Sequence, residues 1–117
     1  MELTKEDLRF GNYIRFVSTQ LNKNSDVKYT KYDLMQWDIA NKVIGTKFEA
    51  IPLSHEWVDR LGFDMFNEDE GKLNFNGFEL YWDGEGVFLE SVGTEIYYVH
   101  QLQNLYHSLT GKELILI

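Results

Sequence analysis

Residues 73–91, LNFNGFELYWDGEGVFLES, carry two turn signals inside alternating apolar sequence, and they decide the fold class. Asn76-Gly77 lies between Leu73/Phe75 and Phe78/Leu80/Trp82, and Asn-Gly tolerates the positive φ angles of a tight two-residue hairpin. Asp83-Gly-Glu-Gly86 turns the chain again into Val87–Ser91, so the stretch predicts a three-stranded meander. Alternation places Phe78, Leu80 and Trp82 on one face and Glu79, Tyr81 and Asp83 on the other. The apolar face needs a cover.

The cover follows directly. From Thr94 the run TEIYYVHQLQNLYHSLTG predicts a helix closed by Gly111 at its C′ position. At a helical period Tyr98, Val99, Leu102, Leu105, Tyr106 and Leu109 share an arc of about 120°, wide enough to lie on a sheet. His100, Gln103, Asn104 and His107 fall on the opposite side, as a solvated or partner-facing polar stripe. Leu114–Ile117 is placed as a terminal strand.

Before the meander, Pro52-Leu-Ser54 opens a short middle helix that runs to about Leu61. Ser54 is its N-cap, Leu53 and Val58 form a hydrophobic staple, and Gly62-Phe63 supplies a Schellman stop. Asn67–Gly71 reads as an acidic loop. Nearer the start, Thr4 and Asp7 cap a short helical turn that ends at Gly11 or Asn12. Tyr13–Gln20, Val27–Tyr32, Leu34–Ala40 and Val43–Ile51 read as strands, with polar turns at Asn22–Asp26 and Asn41-Lys42. The expected architecture is α+β in one domain, 1–117. It comprises a small bent antiparallel sheet or partial barrel, the middle helix, the meander, and a C-terminal amphipathic helix packed on the sheet.

Composition narrows the function classes. With no cysteine, disulfides, thiolate metal sites and thiol nucleophiles are excluded. Lys5, Glu6, Asp7 and Arg9 interrupt any signal-peptide core, and no apolar run reaches the roughly 20 residues of a membrane helix. The expectation is a cytoplasmic protein with no membrane partner. Charge is distributed unevenly. Residues 1–60 balance nine bases against nine acids, whereas residues 61–117 hold two bases, Lys72 and Lys112, against ten acids. The formal charge of −8 therefore lies wholly in the second half. Such a field repels phosphate and attracts basic protein surfaces.

Three stretches, LRFGNYI (8–14), IPLSHEWVDRLGF (51–63) and YVHQLQNLYHSLTGKEL (98–114), resemble in that order a group of small uncharacterised proteins of Bacteroidetes genomes, their phages and prophages. They cover 37 of the 117 positions and span the chain. The group has no established activity, so the resemblance implies no catalytic residue. It implies a context, that of a mobile-element accessory protein acting in a bacterial host cell.

Chemical constellations are weak. His100 and His107 are seven apart on one helix, about 10.5 Å along the axis, too far for one tetrahedral ion. Asn67–Gly71 and Asp83–Gly86 lack the spacing of a calcium loop. Ser54-His55-Glu56 is contiguous, so its side chains diverge and form no triad. No phosphate-binding loop is present. The expectation is a non-enzyme with no cofactor and no metal. Arg15, Lys28, Tyr29, Lys31 and Tyr32 interleave bases with aromatics, as on single-strand nucleic-acid platforms, but the acidic half opposes direct nucleic-acid binding.

The leading expectation is a phage-type accessory protein that binds a basic host protein surface. A nuclease or its ribonucleoprotein is the natural partner because a nucleic-acid channel is basic, and an anti-CRISPR inhibitor is the most specific form of this reading. Glu68, Asp69, Glu70, Glu79, Tyr81, Asp83 and Glu85 are the candidate partner-binding residues. Two alternatives stand beside it. One is a nucleic-acid-binding accessory protein using the basic/aromatic strands. The other is a self-assembling module joined through His100, Gln103, Asn104 and His107.

Overall fold

The computed structural model describes residues 3–18, 23–30, 37, 46–67, 71–75, 78–82, 86–89 and 93–115. The architecture is α+β. After a 3-10 turn at Lys5–Asp7, strands β1 (Tyr13–Ser18), β2 (Lys23–Lys28) and β3 (Thr46–Glu49) form an antiparallel sheet ordered β2-β1-β3. Helix α1 (His55–Arg60) leads into a five-stranded antiparallel meander. Its strands are β4 (Asp64–Asn67), β5 (Lys72–Phe75), β6 (Phe78–Trp82), β7 (Val87–Leu89) and β8 (Thr94–Ile96), in that order. Helix α2 (Val99–Thr110) closes the fold.

Why α1 forms is local. Ser54 Oγ accepts the Trp57 N–H at 3.2 Å, filling an orphan donor of the first turn. At the other end Gly62 sits at φ 97°, a conformation costly for any residue with a Cβ. From there the Gly62 N–H bonds Asp59 O and the Phe63 N–H bonds Val58 O, the paired bonds of a Schellman stop. Leu53, Val58 and Phe63 are all buried in the main core, as the staple predicts.

That core is a sandwich of helices on one sheet face. Leu73, Leu80, Val87, Leu89 and Ile96 of the meander meet Trp57 and Val58 of α1 and Val99, Leu102 and Tyr106 of α2. Each such aliphatic side chain contributes roughly 1.5–3 kcal/mol on burial. A second, smaller core of Ile14, Tyr29, Trp37 and Phe48 lies on the three-stranded sheet. The two sheets are linked where β3 runs on: the Leu53 N–H bonds Tyr97 O, the Val99 N–H bonds Ile51 O, and Pro52 bridges Tyr98. The expected bent sheet is thus two sheets joined at a corner, with no ladder closing them into a barrel among the described residues.

Several expectations need correction. Asn22–Asp26 is not a turn beyond its first residue, since Lys23–Lys28 pairs with β1 along six positions. A polar strand is tolerated there because β2 is an edge, and its terminal lysines are typical of edge strands. Val27–Tyr32 accordingly begins as the end of β2, and Tyr29 and Thr30 lie beyond it. Of the predicted strand Leu34–Ala40 only Trp37 is described, and its backbone is helical. The predicted turn Asn41-Lys42 lies outside the described residues, as does the terminal pair 116–117; residues 112–115 form no strand.

The meander gains a strand at each end, β4 and β8. Thr94–Ile96 is extended, not helical, because Ile96 pairs with Val87 and fills the core. The C-terminal helix therefore starts five residues late, behind Tyr98, and its apolar arc is rotated. Leu109 is 49% exposed, whereas His100 (1%) and Gln103 (0%) are buried.

Candidate functional site

The meander has two faces, and among the described residues the main core packs on one of them. Leu73, Leu80, Val87 and Ile96 turn inward, so Lys72, Glu79, Tyr81, Phe88 and Glu95, of the other parity, turn outward. Register then assembles a straight row across four strands. Lys72 pairs with Tyr81, Tyr81 with Phe88, and Phe88 with Glu95. At about 4.8 Å per strand the row is about 14 Å long. Tyr81 and Phe88 are half-buried and belong to neither core. Glu79, two residues from Tyr81 on β6, and Glu95 are exposed.

Tyr97 continues the outer face beyond β8. It is 42% exposed, and its hydroxyl donates to Glu95 Oε2. Lys72 Nζ lies 6.0 Å from the centroid of the Tyr81 ring, at the outer limit of a cation–π contact. Among the described residues the surface is thus aromatic in the middle, with two exposed carboxylates and one ammonium around it.

Strand β8 can approach this surface because residue 86 is glycine. A Cβ there would lie 2.3 Å from Ile96 O and 2.9 Å from Tyr97 Cδ1. Any larger residue would push β8 and Tyr97 away.

Of the expected partner-binding residues, Glu79 and Tyr81 stand on this face. Glu68, Asp69, Glu70, Asp83 and Glu85 lie outside the described residues. Phe88, Glu95 and Tyr97 were not in the expected set. The signal for the last two was present: Thr94/Ile96 alternate with Glu95/Tyr97 at period two, a strand pattern overridden by the helical period that begins at Tyr98.

The three distinctive stretches, 8–14, 51–63 and 98–114, meet elsewhere. Gln103 is their centre. Its Oε1 accepts the Tyr13 N–H at 2.8 Å, and its Nε2 donates to Gly11 O at 3.1 Å and Leu114 O at 3.0 Å. Asn104 Oδ1 accepts from Asn12 Nδ2 at 2.9 Å and from Arg9 at 3.2 Å, while its Nδ2 donates to Asp7 O at 3.2 Å. Arg9 also pairs with Glu113, which His107 Nε2 approaches at 3.8 Å. Residues 51–53 join through the Pro52–Tyr98 bridge. These residues tie the N-terminal turn, the start of β1 and the C-terminal segment to α2.

His100 belongs to the same region. It is buried, its Nδ1 has no hydrogen-bond partner, and its ring lies 6.1 Å from that of Tyr98. Desolvation holds its pKa below the ordinary histidine value, partly offset by the carboxylate of Asp7. With His100 and Gln103 inside, only Asn104 and His107 of the polar stripe expected as a self-assembly seam remain partly exposed.

The expected nucleic-acid strip fares similarly. Arg15 pairs with Asp26 at 2.8 Å, and that hydrogen bond, followed by the charges of Asp26 and Glu49, raises its pKa against the opposing desolvation. Tyr29 is 2% exposed and cannot stack on a base, and Lys28 Nζ lies over the Tyr13 ring at 5.7 Å. Lys31 and Tyr32 lie outside the described residues.

Among the described residues no group of three or more His, Asp or Glu is placed to hold a metal ion. Likewise no helix among them is long and apolar enough to cross a membrane. Compared with protein-family models, curated proteins and solved structures, the chain matches none.

Proposed function

We propose that this chain is a non-enzymatic accessory protein that docks the outer face of its five-stranded sheet on a basic protein surface. The supporting observation is the row Lys72–Tyr81–Phe88–Glu95 with Glu79 beside it, an acidic and aromatic strip across four strands with both carboxylates exposed. Its setting, a half-chain with two bases against ten acids, favours fast encounter with a positive partner. On the phage-type resemblance, the partner is a nuclease or its ribonucleoprotein, and the activity is inhibition of an RNA-guided effector.

The test uses purified RNA-guided nucleases with guide loaded, titrated with the chain and with the Glu79→Lys/Glu95→Lys variant. The expected result is salt-sensitive binding that the double reversal weakens by tenfold or more, with no binding of the chain to DNA or RNA alone. Equal binding by wild type and variant, or tight binding to free nucleic acid, rejects the proposal.

A further inference from the structure

The outer sheet face carries more information than charge, because two of its aromatic rings are paired directly across β6 and β7 with a carboxylate beside each. Tyr81 opposes Phe88; Glu79 lies two residues along β6, and Glu95 opposes Phe88 from β8. We infer that this face reads arginine: it takes an extended, arginine-bearing segment of a partner protein, with a guanidinium laid on the Tyr81/Phe88 rings and held by Glu79 or Glu95. The inference rests on the reading of this face as the docking surface.

Four observations lead to arginine on another protein. The charge of the face is complementary to a cation, with Glu79 and Glu95 exposed. Lys72 already sets a cation near the Tyr81 ring, at 6.0 Å from its centroid, the outer limit of a cation–π contact. A guanidinium is planar, stacks on aromatic rings and matches a carboxylate with two parallel N–H donors, whereas an ammonium is a compact, strongly hydrated point charge. A row of about 14 Å corresponds to about four residues of extended chain at about 3.3 Å each.

A second copy of this chain does not supply the guanidinium. Its three arginines are already engaged: Arg9 with Asn104 and Glu113, Arg15 with Asp26, and Arg60 with the Trp57 ring at 4.6 Å and Glu56 at 3.9 Å. Nucleic acid is disfavoured by the same carboxylates that favour arginine.

Fluorescein-labelled deca-arginine and deca-lysine peptides carry equal charge and separate shape from field. Fluorescence anisotropy at low salt should give at least tenfold tighter binding to deca-arginine. Tyr81→Leu/Phe88→Leu should weaken deca-arginine about tenfold and leave deca-lysine within about twofold. On the unaltered protein, amide shifts induced by deca-arginine should centre on Tyr81, Phe88 and Glu95, a readout that needs no variant to fold.

Equal affinity for the two peptides, binding of neither, or shifts centred elsewhere overturns the inference. So does tighter binding of labelled single-stranded oligothymidine than of deca-arginine. The variant Glu79→Gln/Glu95→Gln distinguishes the two levels. If it weakens both peptides alike while the leucine pair changes nothing, the docking face stands and arginine reading falls. If it weakens neither, both fall.

Discussion

Gln103 shows how much one side chain can hold. It is completely buried and satisfies one backbone N–H and two carbonyls from segments that are otherwise far apart in sequence. Replacing it by leucine keeps the volume but orphans those groups, each at a cost on the order of 1–3 kcal/mol when buried. Gln103→Leu is therefore expected to lower the urea midpoint clearly, and an unchanged midpoint would show the joint to be dispensable. Gly86 is the second such position. Gly86→Ala drives a methyl into Ile96 O, and overpacking of this kind costs about 1–3 kcal/mol. The expected outcome is a lower melting temperature together with changed amide shifts at Glu95 and Tyr97. Neither role was legible beforehand. A glutamine on a helix looks polar and therefore outward, and nothing in its neighbours along the chain announces that Tyr13 and Leu114 will need it.

At the scale of elements, local signals were reliable where the element makes its own case. Helix α1 has its cap, staple and stop within residues 53–63, and all three are formed. The β5–β6 hairpin was equally plain: Phe75 pairs with Phe78, which leaves the two residues 76 and 77 between the strands. Elements decided by distant partners were missed. Strand β2 is polar and exists because β1 offers it a ladder; β8 was absorbed into the helix because its three residues carry a weaker period than the twelve that follow. The outer face was half legible for the same reason, with Glu79 and Tyr81 placed together on one face of a strand and Glu95 assigned to a helix.

Helix α2 also sets a pH dependence through His100. Its folded pKa lies below the unfolded value of about 6.5, so the unfolded chain binds the proton more tightly. The contribution is fully present above about pH 6.5 and is lost as pH falls through the depressed folded value. The groups around it are Asp7 from the N-terminal turn, which attracts the proton, and the apolar core, which opposes it. His100→Gln should reduce the loss of stability between about pH 7 and about pH 5, read as the difference in urea midpoint between the two. A variant with the same pH slope as the parent would assign the acid sensitivity to the carboxylates alone.

On the scale of the whole molecule, the charge pattern sets how the protein responds to salt. Ten acids against two bases in residues 61–117 repel one another, and on the described outer face Glu79 and Glu95 have Lys72 as the nearby base in the row. Screening shortens the reach of this repulsion from about 30 Å at 0.01 M salt to about 10 Å at 0.1 M. The urea midpoint should therefore rise with sodium chloride over that range, and less so in Glu79→Gln/Glu95→Gln. A midpoint that falls with salt would mean that net attraction, not repulsion, dominates the charge distribution.

The bond from Tyr13 to Gln103 has a consequence during synthesis. Ninety positions separate the two residues, so at 5–20 residues per second a nascent chain waits roughly 5–20 s before the glutamine exists to receive that amide. For that interval the opening sheet has its neighbours but not its latch, and chaperones have time to engage it. A cell that translates the message faster would shorten the exposure, and recovered yield would respond to codon choice across the middle of the gene.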